Sequence, residues 1–180
     1  RTTTIMAQFA SNVTNTFAND VSLLEQYSGN PSVTRGETLH IHSHPSKDLI
    51  VYPSRKGVVV RDLENPKGSF VYRGHEGKTT VAKFSPSGNY IASGDEHGRL
   101  IVWAWDTPTH VTKFETRVFV AGLLDLDWSP DNSKLLVVGD GGSGTMTKVI
   151  TADSGNNVGE MVGHNRRATS CAFKQTRPFR

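Results

Sequence analysis

One phrase of this sequence is written twice, and that repeat limits the available folds more than any other feature. "FSPSGNYIASGDEHGRLIVW" (Phe84 to Trp103) and "WSPDNSKLLVVGD" (Trp128 to Asp140) share an aromatic, a Ser-Pro, a small polar turn and an apolar strand ending in Gly-Asp. Ser85-Pro86 and Ser129-Pro130 lie 44 residues apart, and 45 residues further on "CAFKQTRPF" puts Phe173 in the aromatic slot. Going back 41 residues from Pro86 reaches Pro45, where "PSKDLIVYPSRKG" runs beside "PSGNYIASGDEHG" without a gap and Gly57 matches Gly98. Pro and Gly punctuate the turns, and no stretch sustains a helical period.

A period of 41 to 45 residues made of short strands is that of a β-propeller blade, which buries both faces only by stacking on its neighbours. The fold class expected is therefore all-β, a partial propeller of about three blades and the start of a fourth. The expected blades are 39–74, 75–119, 120–163 and 164–180. Residues 1–38 form an N-terminal segment that would suit a ring-closing strand around Phe9. A chain that opens on Arg1 is expected to be a piece of something longer, and three blades alone would expose sheet faces and edges that invite association.

The Gly-His pairs of "RGHEG" and "VGHNR", the Ser-Pro turns and "GRLIVW" resemble the WD-repeat family. That resemblance implies a structural hydrogen-bond chain of His, Ser or Thr, Asp and Trp. His75, Ser93 and Trp103 can fill three of its places, and His164 would open the same chain in the next blade. The position before the turn glycine, usually Asp, is His97, which leaves the fourth place in question. The blade between has lost its Gly-His and reads "VAGLLDLDW".

Several runs imitate other chemistry. "LHIHSHPSKDL" is similar to the His-Ser-His-Pro of metal-dependent isopeptidases. Alignment puts Ile41 with Ala82 and Leu126, and Ser43 with Phe84 and Trp128, so His40, His42 and His44 share the opposite strand face. The isopeptidase Ser and Asp would fall on Pro53 and Lys56, and a catalytic zinc needs three protein ligands. No metal site, cofactor or catalytic residue is expected. "GDGGSG" (Gly139 to Gly144) matches a dinucleotide fingerprint, but "TMTKVITAD" after it is β-rich, so the run reads as an enlarged turn. Asp125 and Asp127 of "LDLDW" read as a solvated strand face and not an acid–base pair. Cys171, the single cysteine, excludes an internal disulfide and reads as core filling. A net charge of +3, thinly spread, gives no footprint for nucleic acid, and no apolar run approaches the ~20 residues of a membrane span.

A longer set of phrases is more specific. "TTVAKFSPSGNYIASGDEHGRLIVW", "DSGNNVGEMVGHNRR", "CAFKQTRPFR" and "RDLENP" resemble the actin-interacting WD-repeat family over about residues 50–180. The resemblance implies a non-enzymatic, cytoplasmic protein of the actin cytoskeleton. It would bind filamentous actin and cofilin-family proteins and promote severing and disassembly. A general interaction scaffold with non-actin partners is the alternative. In relatives the loop matching Gly139 to Gly144 faces the partner and is rich in charge. Here Asp140 keeps the first acid, while Gly142, Ser143 and Gly144 replace the later charges. Arg166 and Arg167 belong to a basic cluster with Lys174, Arg177 and Arg180 that reads as a charged blade edge or as a patch for an acidic partner. The partner-binding residues expected are thus Asp140, Gly142, Ser143, Arg166 and Arg167.

Overall fold

The computed structural model describes residues 27–140, 145–164 and 166–174. The expectation for Phe9 and the residues around it lies outside these, as do Gly142, Ser143, Gly144, Arg177 and Arg180. The described residues form three antiparallel four-stranded sheets, each built from strands adjacent in the chain. The first holds β1 (His42–Ser43), β2 (Leu49–Ser54), β3 (Gly57–Asp62) and β4 (Phe70–Tyr72), with a 3-10 turn at Pro66–Gly68. The second holds β5 (Thr79–Phe84), β6 (Tyr90–Asp95), β7 (Arg99–Ala104) and β8 (Thr112–Arg117). The third holds β9 (Leu123–Trp128), β10 (Lys134–Gly139), β11 (Thr147–Thr151) and β12 (Asn157–Met161). This is the all-β, bladed architecture expected from the repeat.

Burial explains the stacking. The middle sheet is covered on both faces, so β7 reads "RLIVW", nearly continuous apolar, instead of alternating. Its odd and even residues serve different cores. Ile91, Ile101 and Trp103 pack with Val51, Val58 and Val60 of the first sheet. Ala92, Leu100 and Val102 pack with Leu126, Leu135 and Val137 of the third. Fully burying one such aliphatic side chain is worth about 1.5–3 kcal/mol, so each seam is a substantial fraction of the stability. The outer strands show the contrast: every residue of β12 is exposed. The inner strand β5 packs between the first sheet and β9.

One alignment from the sequence shifts. His42 pairs with Val51 as Lys83 pairs with Ala92, which keeps the 41-residue offset across β1 and β2. Beyond the hairpin, Val51 pairs with Val60 whereas Ala92 pairs with Val102, so the offset becomes 42. Gly57 therefore matches Arg99, not Gly98. The β2–β3 hairpin turns on Arg55 and Lys56, with Arg55 at φ 53°, and is one residue shorter than its counterpart. Gly98 has its own reason to be glycine: φ is +78°, and a Cβ would sit 2.1 Å from the Phe119 carbonyl oxygen.

Candidate functional site

The second blade encloses a chain of polar side chains. The His75 ring lies with Nδ1 3.1 Å from Asp95 Oδ2 and Nε2 2.8 Å from Ser93 Oγ, and Trp103 Nε1 donates to the same hydroxyl at 3.1 Å. An imidazole that donates from Nδ1 to a carboxylate accepts at Nε2, which fixes its tautomer. Asp95 takes the place that the sequence left in question. It stands three residues before Gly98, and its Oδ1 accepts the amides of His97 and Arg99, folding the turn around the carboxylate. Burial alone would raise the Asp95 pKa, but the bonds from His75 and the two amides hold it below the ordinary value. His97 itself projects into solvent. His164 is exposed beyond β12 and joins no such chain among the described residues.

The histidine run forms a strut between blades. His44 Nδ1 accepts the amides of Ser46 and Lys47, and its Nε2 donates to the Gly88 carbonyl at 3.1 Å. His42 Nδ1 accepts the Phe84 amide at 3.3 Å. Burial lowers the pKa of His42 and of His44, which suits rings used as acceptors. Both nitrogens of His44 are thus committed to the protein. Among the described residues no group of His, Cys, Asp and Glu is arranged to hold a metal ion.

The "LDLDW" carboxylates are not solvated as the sequence reading had them. Asp125 is 2% exposed. Its Oδ2 accepts the Cys171 amide and the Ser170 hydroxyl, each at 2.9 Å, and Lys83 Nζ lies 3.1 Å from Oδ1. Asp127 accepts the Phe173 amide at 2.6 Å. Burial would raise the Asp125 pKa, but the Cys171 amide and the Lys83 ammonium keep it below the usual range. The pair is therefore a fixed anionic clasp for segment 170–173. Burial first, and the Asp125 charge second, push the Cys171 thiol up to about 12, which disarms it as a nucleophile. The Gly-rich run after β10 joins two paired strands, with Val138 opposite Thr147, so no helix N-terminus follows it.

Two of the expected partner residues come together. At the end where β5 and β9 begin, a pocket of about 400 Å³ is lined by Asp140 and Arg167 together with Lys78, Glu96 and Gly122. Residues of segment 32–39 also line it. Ser32 anchors that segment by accepting the Arg55 amide at 2.6 Å and donating its own amide to Pro53. Lys78 Nζ then holds Glu37 at 2.5 Å and Thr34 at 3.0 Å. The Lys78 bond holds the Glu37 pKa below its ordinary value. Asp140 is exposed, and its backbone pairs with Gly122 and Ala121, fixing the start of the loop. Arg166 is exposed beside Arg167 without lining the pocket. Sequence reading missed Glu37, Lys78 and Glu96, which are ordinary surface charges until a distant segment crosses them.

Residues 66–104 match the family described as WD domain, G-beta repeat. That stretch, from the 3-10 turn before β4 to the end of β7, is similar to a WD repeat. Similar proteins include "Actin-interacting protein 1-2" of Arabidopsis thaliana, 41% identical over 160 residues, covering 89% of this chain and 26% of that protein. The "66 kDa stress protein" of Physarum polycephalum is 40% identical, covering 86% of this chain and 26% of the relative. "WD repeat-containing protein 1" of Gallus gallus is 39% identical, covering 83% and 24%. The chain thus spans about a quarter of the length of these relatives.

Proposed function

We propose that this WD-repeat chain contributes a rigid binding surface to a non-enzymatic, cytoplasmic actin-filament-binding protein that works with a cofilin-family partner in severing and disassembly. The observation that carries the reading is 41% identity, over 89% of the chain, to a relative whose name is actin-interacting. The pocket is compatible with the role: Asp140, Arg167, Lys78 and Glu96 put both signs of charge in its lining, which suits a protein partner better than the uniformly anionic backbone of nucleic acid. Nothing in this mechanism breaks a covalent bond. A surface that binds the cofilin-decorated or disrupted filament better than the intact one shifts the filament equilibrium by that difference in affinity. The non-actin scaffold is the alternative reading, and the same measurement separates the two.

The test is co-sedimentation of the full-length protein with actin filaments, with and without cofilin. Enrichment that depends on cofilin and falls in the Asp140→Lys, Arg167→Glu double variant supports the proposal. Pelleting that ignores cofilin, or that is absent, overturns it.

A further inference from the structure

At the opposite end of the strands from the Asp140–Arg167 pocket, the first sheet and Trp105 of the second blade line a groove of about 470 Å³, within the range of ligand-binding clefts. Its walls are apolar and held in place. Trp105, half-buried, donates Nε1 to the Gly88 carbonyl at 2.5 Å, and His44 and Phe84 meet its ring edge-on at 5.5 and 5.9 Å. Phe70 lies flat on His110, 4.5 Å between centroids. Leu49 completes the apolar wall. The indole's one polar atom is satisfied inside the protein, so it presents only carbon and its π-face.

The rim is acidic. Among the groove-lining residues Asp48, Asp62 and Glu64 supply carboxylates against the single ammonium of Lys47. That ammonium already sits 4.7 Å from the centroid of the Trp105 ring, which shows the ring face accessible to a cation. Lys47 is itself exposed and belongs to the loop between β1 and β2, so it can swing aside.

We propose that this groove docks an extended protein segment in which arginine adjoins an apolar side chain. The guanidinium stacks on Trp105 in place of Lys47 and meets the acidic rim, and the apolar neighbour fills the space between Leu49 and Phe70. Arginine fits better than lysine because its planar, weakly hydrated head can stack and pair at once. The immobilised walls reduce the ordering cost of binding. The site is independent of the Asp140–Arg167 pocket and of whether actin is the partner there.

The probe is a fluorescein-labelled pentapeptide, Gly-Arg-Leu-Arg-Gly, against Gly-Glu-Leu-Glu-Gly, followed by anisotropy with the full-length protein. The arginine peptide is expected to bind and the glutamate peptide not. The Asp48→Lys, Glu64→Lys variant changes only exposed side chains and should weaken binding at least about tenfold, an effect that added salt reproduces. Trp105→Phe keeps a ring in the wall and should weaken it less. Equal binding of the two peptides, or unchanged affinity in the charge-reversed variant, overturns the proposal. So does concentration-dependent self-association that the same variant abolishes, because the groove would then belong to a second copy of the chain.

Discussion

In the second blade His75, Ser93, Asp95 and Trp103 form one buried hydrogen-bonded chain. In the third, the residues in register with them are Phe119, Val137, Gly139 and Ile150. Thr79 pairs with Asp95 where Leu123 pairs with Gly139, and Ile91 pairs with Trp103 where Leu135 pairs with Ile150. Every polar member has gone, and the replacements are apolar or have no side chain. The Phe119 ring lies against Gly139, where a Cβ would come within 2.4 Å of it. Both blades close the same four-stranded sheet. A buried polar chain is tolerable when every member is satisfied, and a well-packed apolar set does the same work when all members change together. What neither blade can tolerate is half of the other's solution.

That contrast can be broken by measurement, most sharply at Ser93. Ser93→Ala leaves His75 Nε2 and Trp103 Nε1 without a partner in a buried site, at about 1–3 kcal/mol for each orphaned group. Val137→Ala, the register-matched change, removes two methylene-sized groups at about 0.8 kcal/mol each. Amide hydrogen exchange in the full-length protein should show the larger loss of protection in the second blade, and equal losses would end the distinction. Next in size is Gly139→Ala, which forces a methyl into the Phe119 ring at a cost of about 1–3 kcal/mol. Adding Phe119→Leu should recover part of that loss by urea denaturation; strict additivity would show that the two residues do not share the space.

The smallest effect separates the two seams by pH. The first seam uses His42 and His44, whose folded pKa values burial holds below the ordinary 6.5. Unfolded chains take up those protons more readily, so their contribution is complete above about pH 6.5 and declines as pH falls below it. The second seam uses Asp125, held below 3.8, whose contribution is present above that value and is lost only as pH falls through the lower folded pKa. Exchange protection at β1–β2 should therefore drop between pH 7 and 5 while β9 holds, and β9 should follow only in stronger acid. Simultaneous loss would refute the assignment.

The repeat made the blades legible because period, Ser-Pro turns and strand alternation are local. Asp95 escaped because the sequence argument looked one residue before Gly98, whereas the turn curls so that a carboxylate three residues earlier reaches His75. The one-residue shift at Arg55 escaped because a two-residue hairpin and a three-residue turn leave the same kind of polar string. Asp125 looked solvated since its partners, Ser170 and Cys171, arrive from 45 and 46 residues away. The Asp140–Arg167 pocket was half legible: those two residues stood out by charge, but Glu37 and Lys78 acquire meaning only when segment 32–39 crosses the sheet end.

The inner-strand contacts also give the chain a sense of direction. His42 waits for the Phe84 amide and Asp127 for the Phe173 amide, so a completed blade holds out acceptors that only later-synthesised residues can fill. On the ribosome, each blade would therefore settle fully only when the following strand emerges. Growth becomes a sequence of latches closing from the N-terminal side, and a pause in translation just before a latch residue would leave the apolar face of the nascent sheet uncovered.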